Sequence, residues 1–212
     1  MLSIHTVPGA PLETNCYLVA DREAGDAILV DAPKQVVEEM QARAEAWGVA
    51  IRQIICTHGH WDHTMGLPEL IAATGATVAV HAGDKDHLLH PSFAPFTLPF
   101  TLTPVTPDRL LAEGDEVTVG THRLRVLNTP GHTPGCICLH DADEHILLSG
   151  DTLFAGTCGR MDFPGGDPAL MVQSLLRLAT LPPATRVYPG HGPATTISRE
   201  SWLARADEME EG

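Results

Sequence analysis

The chain has 212 residues and a mass of 22.7 kDa, which suits one domain with a sizeable hydrophobic core. Its formal net charge of −14, from 27 acidic and 13 basic residues, repels the phosphate backbone of nucleic acids. The sequence contains no apolar run of roughly 18 residues, the length that a membrane span needs, and no signal-peptide pattern at its start. We therefore predict a single cytoplasmic domain over residues 1–212 that acts on a small molecule, with no nucleic-acid or membrane partner.

Strands and helices alternate in the first half of the chain. Gln35 to Trp47 carries apolar residues at helical spacing and ends before Gly48, which suits the position after a helix. Arg52 to Cys56 is predicted to be a buried strand that leads into a histidine-rich segment. The other predicted elements of this half are strands at 2–8, 16–20, 27–30 and 77–81, a helix at 67–74 and a helical turn at 84–89.

A proline-rich stretch at 91–107 separates the two halves and contains five prolines and three of the five phenylalanines. It predicts a long ordered loop, either a packed spacer or the lining of a binding pocket. Periodicity alone indicates a layered α/β or α+β fold, and the similar order of elements in both halves favours two sheets with helices outside. The predicted elements of the second half are strands at 116–119, 122–128, 136–139, 145–149 and 185–188, a helix at 168–179 and a final helix from Ser198.

The segment THGHWDH places four residues of metal-ligand type within six positions, 58–63. Side chains alternate in an extended loop, so His58 and His60 can share one ion while Asp62 and His63 turn toward a second. Trp61 is expected to point away into packing. The spacing therefore predicts a two-metal site.

Three later motifs share one form, a short strand that ends in a glycine-flanked ligand: His132 in NTPGHTPG, Asp151 in LLSGDTLF and His191 in VYPGHGP. One allocation satisfies two ions, with Asp151 bridging them. The first ion takes His58, His60 and His132, and the second takes Asp62, His63 and His191. Two divalent ions about 3.5–4 Å apart lower the pKa of a bridging water toward ~7. Asp62 is the predicted catalytic group, placed to hold a metal and to orient or accept the proton of the hydroxide.

In the order of these motifs the chain resembles the metallo-β-lactamase superfamily, over residues 31 to 191. The resemblance implies an α+β fold of the αββα sandwich type, with two mixed β-sheets packed face to face and helices on both outer faces. Asp31, in LVDAP, resembles the aspartate that supports the ligand loop without binding metal. An aspartate at Asp151 resembles the glyoxalase II and thioesterase branch, because lactamases usually have cysteine or serine there.

The segment GTCGRMDFPGGD resembles both small bacterial glyoxalase II-like hydrolases and persulfide dioxygenases. Arg160 and Phe154 are the predicted substrate contacts, and a structural ion pair is the alternative for Arg160. Because 21 residues follow His191, we expect no C-terminal glutathione-binding helical domain. Gly192-Pro193 also replaces a tyrosine that is common in that branch.

The resulting prediction is a dinuclear metallohydrolase of the hydroxyacylglutathione hydrolase type, in which a metal-bridging hydroxide attacks a thioester carbonyl. Its two divalent ions are expected to be zinc, although the same ligands accept iron or manganese. One alternative is a persulfide dioxygenase with a single iron on His58, His132 and Asp151. The other is a metal-binding protein without catalysis. Both a monomer and a homo-oligomer are compatible with the sequence.

Overall fold

Two six-stranded β-sheets pack face to face, with helices on both outer faces. The structure is a computed structural model that describes residues 1–92, 98 and 100–208. Each sheet contains both parallel and antiparallel neighbours. This αββα sandwich confirms the predicted fold class.

The first sheet runs in chain order from edge to edge. Its first three strands are antiparallel and the remaining three are parallel to the third. The strands are β1 (Ser3–Gly9), β2 (Thr14–Asp21), β3 (Asp26–Val30), β4 (Ala50–Ile55), β5 (Thr77–His81) and β6 (Arg109–Leu111). The helices of this half are α1 (Val37–Trp47), the short α2 (Trp61–Thr64), α3 (Leu67–Thr74) and α4 (Lys85–Leu89).

The second sheet follows the reverse order, from its last strand to its first. Only β10 and β11 are parallel among its neighbouring strands. The strands are β7 (Glu116–Val119), β8 (His122–Asn128), β9 (Ile137–Asp141), β10 (Ile146–Gly150), β11 (Arg186–Pro189) and β12 (Thr195–Thr196). Helix α5 (Pro168–Leu178) and a 3-10 segment, Leu203–Glu208, cover its outer face. Within the described residues, no helix is long and apolar enough to cross a membrane.

Strand β2 shows how the sequence builds the layers. All eight of its residues are buried, because one face packs on the helices and the other on the second sheet. Leu18 faces the helical layer, whereas Val19 faces the second sheet, where it joins Leu124 and Leu148. Full burial of such a side chain stabilises the fold by about 1.5–3 kcal/mol.

Most predicted elements agree with the structure to within one or two residues, and α3 and β5 agree at both ends. Strand β6 was not predicted, because three residues are too few to show alternation. The stretch 91–107 that precedes it is only partly described, and residues 93–97 and 99 lie outside the described residues.

The predicted final helix from Ser198 is wrong. The chain forms a 3-10 turn, Ile197–Arg199, followed by the separate segment Leu203–Glu208. Glu200 does not serve a helix terminus. Its carboxylate accepts hydrogen bonds from Thr195 Oγ1 at 2.5 Å, Trp202 Nε1 at 2.7 Å and Gly156 N at 2.8 Å. These hydrogen bonds, two from neighbouring residues and one from the distant Gly156, draw the side chain inward and divert the backbone.

Asp21 links the two sheets at a pair of turns. Its Oδ2 accepts from Thr121 N at 3.0 Å, and its Oδ1 accepts from Ala24 N and Glu23 N, both at 3.2 Å. The hydrogen bonds from the backbone of Thr121 and Ala24 lower the pKa of Asp21 to about 2, against about 3.9 for an unfolded aspartate. A carboxyl group with a lowered pKa contributes stability above its unfolded pKa and loses it as the pH falls through the folded value.

We therefore expect the stability advantage of the native protein over the Asp21→Asn variant to shrink as the pH falls from about 5 to about 2. Urea unfolding of both proteins at several pH values measures this difference. A constant difference across the range would contradict the assignment.

Candidate metal centre

The predicted ligands gather at one edge of the sandwich, where several strands end. Asp31 and Asp151 directly follow β3 and β10, and His191 lies two residues beyond β11. The HGHWDH segment leaves β4 and continues into α2. Loops at the carboxyl ends of parallel strands meet at one edge of a sheet, so ligands distant in sequence come together.

His58, His60 and His132 form a first ligand group. His60 Nδ1 lies 3.1 Å from His58 Nε2 and 2.7 Å from His132 Nε2. One ligand atom from each residue lies within 4.8 Å of the others. His58 and His132 are buried, whereas His60 is partly exposed. The three rings therefore present their nitrogens to a common point.

Asp62, His63 and His191 form a second ligand group. His191 Nε2 lies 3.3 Å from both His63 Nε2 and Asp62 Oδ2. The carboxylate of Asp151 lies between the groups, with Oδ1 3.3 Å from His63 Nε2 and Oδ2 3.5 Å from His132 Nε2. This arrangement is the one that the predicted allocation requires.

Hydrogen bonds at the rim of the centre set the tautomers of three rings. His132 Nδ1 donates to Arg160 O at 2.6 Å, and His191 Nδ1 donates to Leu12 O at 3.2 Å. His63 Nδ1 donates to Asp31 Oδ2 at 2.8 Å. Because these oxygens can only accept, each neutral ring presents its Nε2 lone pair to the centre. Converging lone pairs repel one another unless a cation lies between them, so the donor set fits metal ions.

The carboxylate charges around the centre also favour bound cations. Burial disfavours a charge on His63, yet Asp151, Asp62 and Asp31 raise its pKa well above the usual value. A metal ion neutralises the same carboxylates without that proton. Burial lowers the pKa of His58 strongly and that of His60 to about 3. Both rings are therefore neutral at pH 7, as metal ligation requires.

Two further features favour bound metal ions. Asp151 Oδ1 is buried and has no hydrogen-bond donor, which leaves a carboxylate oxygen available as a ligand. Gly190 N donates to Gly150 O at 2.8 Å. A Cβ at Gly190 would lie 2.1 Å from Asp151 Oδ1 and 2.8 Å from His63 Cε1. Glycine is needed in the PGHG motif because a side chain there would occupy the centre.

Asp31 stabilises the loop that carries the HGHWDH residues. Its carboxylate is 1% exposed and accepts hydrogen bonds from Thr57 N at 2.7 Å and Thr57 Oγ1 at 2.8 Å. With the bond from His63 it has three donors. Asp31 also adopts a positive φ of 62°, which aspartate tolerates better than most residues do. These contacts match the supporting position that the resemblance implies.

The hairpin between β1 and β2 contributes supports that the sequence did not indicate. Thr14 Oγ1 donates to Asp62 Oδ2 at 2.9 Å. Asn15 Nδ2 donates to Pro189 O and Gly192 O, both at 2.9 Å. The two hydrogen bonds from Asn15 hold the loop of His191, which lies more than 170 positions further along the chain. Asp84, predicted only as part of a helical turn, is a further support, and no motif marks it.

A cavity of about 380 Å³ opens beside the two ligand groups. Arg160 and Phe154, the predicted substrate contacts, both line it. The Arg160 guanidinium also pairs with Asp162 at 2.5 and 2.6 Å and lies 3.9 Å from the centroid of the Phe163 ring. Arg160 therefore forms the ion pair of the alternative interpretation and lines the cavity, and its contact with substrate stays a prediction. Trp61 is buried, as expected, and it also contributes to the wall of the cavity.

Removing the metal ions is expected to lower the melting temperature of the protein by roughly 10 °C or more. Ligands that bind only the folded state stabilise it, by about 4 kcal/mol per site at a thousandfold excess over Kd. Calorimetry before and after chelator treatment tests this expectation, and restoring the metal controls for irreversible damage. Equal melting temperatures for chelated and metal-restored protein would contradict it.

The family model for the metallo-β-lactamase superfamily matches residues 9–191. A hydroxyacylglutathione hydrolase from Cereibacter sphaeroides is 39% identical over 200 residues, which cover 93% of this chain and 69% of that enzyme. The chain therefore belongs to the metallo-β-lactamase superfamily. With its histidine and aspartate groups, it is a metal-binding member of this hydrolase superfamily.

Three solved structures share the fold. BLEG-1, a B3 metallo-β-lactamase, is 30% identical with a TM-score of 0.85, and the match covers 95% of this chain and 100% of that one. TTHA1623 in a di-iron-bound form is 35% identical with a TM-score of 0.81, covering 93% and 96%. ETHE1 from Myxococcus xanthus is 27% identical with a TM-score of 0.79, covering 98% and 86%.

Proposed function

We propose that the protein is a glyoxalase II-like thioesterase that hydrolyses small-molecule thioesters of the hydroxyacylglutathione type. The observation that carries the proposal is the carboxylate of Asp151, which lies between two complete ligand groups beside an open cavity. The relative named hydroxyacylglutathione hydrolase supports the same substrate class.

Each of the two ligand groups would hold one metal ion. The first ion would be held by His58, His60 and His132 and the second by Asp62, His63 and His191, with Asp151 serving both. Two divalent ions bound there, which we propose to be zinc, would supply a hydroxide nucleophile near neutral pH and would polarise a carbonyl group.

Asp62 is the proposed proton acceptor. Burial by itself would raise the pKa of its carboxyl group, but the interactions with His63 and His191 and the hydrogen bond from Thr14 outweigh burial and lower the pKa. Asp62 is therefore ionised at neutral pH and lines the cavity. The hydrogen bond from Thr14 leaves the carboxylate directed at the centre, where it orients the nucleophile and accepts its proton.

The remaining cavity residues suit a substrate with an apolar acyl part and a polar carrier. Phe154 lies against His191, with the ring centroids 6.0 Å apart, and offers an apolar surface next to the second ligand group. Arg160 is exposed, and its backbone carbonyl accepts a hydrogen bond from His132 of the first ligand group. We assign Phe154 to the acyl part and Arg160 to the thiol carrier.

Thioester hydrolysis is tested by supplying metal-restored protein with a panel of glutathione and coenzyme A thioesters and measuring the thiol released. We expect turnover with at least one member of the panel, dependent on added zinc, iron or manganese. If every thioester stays intact while the protein holds two ions per chain, the thioesterase proposal fails and a metal-binding protein without catalysis is favoured.

The second candidate is a persulfide dioxygenase with one iron held by His58, His132 and Asp151. The CGRMDF segment, which resembles persulfide dioxygenases, supports it, and ETHE1 from Myxococcus xanthus shares the fold. A single 2-His-1-carboxylate iron does not use the complete second group of Asp62, His63 and His191, which favours the hydrolase. Oxygen uptake with glutathione persulfide, together with one iron per chain, would reverse that preference.

A further inference from the structure

Asp84 is a buried carboxylate outside both ligand groups. It ends a 3-10 turn, Ala82–Asp84, and directly precedes α4. Its side chain is 0% exposed, and burying an ionised carboxylate is costly unless hydrogen bonds compensate. Its pKa is nevertheless lowered, because the interaction with His87 and the hydrogen bonds from Thr133 and Gly59 outweigh the effect of burial. The carboxylate is therefore ionised and must be strongly hydrogen-bonded.

Three donors satisfy this carboxylate, and they come from two separate segments. Oδ2 accepts from Gly59 N and Thr133 Oγ1, each at 2.7 Å, and Oδ1 accepts from Gly135 N at 2.7 Å. Gly59 lies between His58 and His60, and Thr133 directly follows His132. Asp84 thus joins the two segments that carry all three histidines of the first ligand group.

The Asp84 turn and the turn that follows His132 pack too closely for a water molecule to lie between them. A Cβ at Gly135 would lie 2.5 Å from Asp84 Cγ, and one at Gly83 would lie 3.1 Å from the Gly135 backbone. The turn after His132 therefore packs directly on the Asp84 turn. Through its three hydrogen bonds, the carboxylate of Asp84 therefore helps to fix the position of His132 relative to His58 and His60.

The second ligand group has supports of its own. His63 is held by Asp31, Asp62 by Thr14, and His191 by the carbonyl of Leu12. Among the described residues, the side chain of Asp84 contacts the three donors above and His87, whose Nδ1 lies 3.8 Å from Oδ2. None of these belongs to the second group.

We propose that Asp84 is a positioning residue specific to the three-histidine group, setting the affinity of that group for its metal ion while leaving the second group unchanged. The assignment rests on the proposed function only in taking these histidines as metal ligands. It does not depend on which substrate is hydrolysed.

Asp84→Asn is the sharpest variant, because it preserves shape and replaces one acceptor oxygen with an NH₂ donor. In either orientation the amide NH₂ faces at least one of the three N–H or O–H donors. One link between the segments is therefore lost. Asp86→Asn is the matched control, since it makes the same chemical change at an exposed position two residues further along the chain.

The test measures zinc binding to the full chain by competition with a chromophoric chelator, together with zinc content per chain. We expect two tightly bound ions in the native protein and in Asp86→Asn. In Asp84→Asn one ion should be held normally and the other about 10–100-fold more weakly, the usual effect of losing a support of a metal ligand. Circular dichroism checks that each variant is folded.

A second substitution identifies which site is weakened. His191→Ala removes a ligand of the second group, so the double variant with Asp84→Asn should hold no ion tightly. His60→Ala removes a ligand of the first group, so the double variant with Asp84→Asn should still hold one ion tightly, at the second group. If Asp84→Asn binds both ions normally, or weakens both equally, the proposal is overturned. Should Asp84→Asn fail to fold, Thr133→Val decides instead, because it removes one of the three hydrogen bonds and should weaken one ion only.

These measurements separate the two proposals. A protein that hydrolyses no thioester but shows the selective zinc loss supports the role of Asp84 and contradicts the thioesterase. If the native protein hydrolyses thioesters while Asp84→Asn binds both ions normally, the thioesterase proposal is supported and the role of Asp84 is contradicted.

Discussion

Asp62→Ala is expected to lower thioester turnover by about 10²–10⁴-fold, the range for loss of a general base, while the fold survives. Asp62 Oδ2 lies 3.3 Å from His191 Nε2 and 2.9 Å from Thr14 Oγ1, so the variant loses both a proton acceptor and a ligand of the second group. The first group and Asp151 stay in place. The fall should therefore appear mainly in kcat, with one metal ion still bound.

Steady-state kinetics at saturating metal measure this effect, and zinc content shows how much of it arises from ligand loss. Asp143→Ala is the control, because Asp143 is an exposed acidic residue on the turn between β9 and β10, and its kinetics should match those of the native protein. Turnover of Asp62→Ala within a few-fold of native would show that another group accepts the proton.

The largest loss of stability is expected from Asp31→Ala, about 3–5 kcal/mol, the range for removing one partner of a buried charged pair. The substitution strands three buried donors, which are Thr57 N, Thr57 Oγ1 and His63 Nδ1. It also places alanine at a φ of 62°, which costs about 1 kcal/mol more than a residue that tolerates this region. Such a loss is a large part of the roughly 5–15 kcal/mol that stabilises a typical protein.

Urea unfolding of metal-free protein gives the free energy of unfolding without any contribution from bound ions. Asp31→Asn is the informative companion, since asparagine tolerates a positive φ and keeps one acceptor oxygen, so it should lose less stability than Asp31→Ala. Equal unfolding midpoints for the native protein and Asp31→Ala would show that the hydrogen bonds of this carboxylate contribute nothing to the fold.

Local patterns predicted much of the fold. Helix α1 and most strands follow from apolar periodicity and glycine stops, because burial on one face of an element imposes a repeat that the sequence displays. Two short segments were not predicted correctly. Strand β6 is too short for a repeat to appear, and the segment after Ser198 is diverted by hydrogen bonds to Glu200, one of which comes from the distant Gly156.

For the metal centre, the HGHWDH segment and the three glycine-flanked motifs named every residue that the structure brings together in the two ligand groups and at Asp151. Ligand chemistry restricts residue type so strongly that the pattern is visible without coordinates. Their roles in binding metal and in catalysis stay predictions, which the variants above test.

The candidate metal-ligand residues and the layered fold can both be recognised in the amino-acid sequence, since both depend on residue type and local spacing. Only the tertiary structure showed that Asp84 joins the loop of His58 and His60 to the turn of His132, and that Thr14 and Asn15 hold Asp62 and the loop of His191. An aspartate, a threonine or an asparagine that bonds to a distant loop has no periodicity and no motif. Its partner is chosen by the path of the chain, and that path exists only in the folded protein.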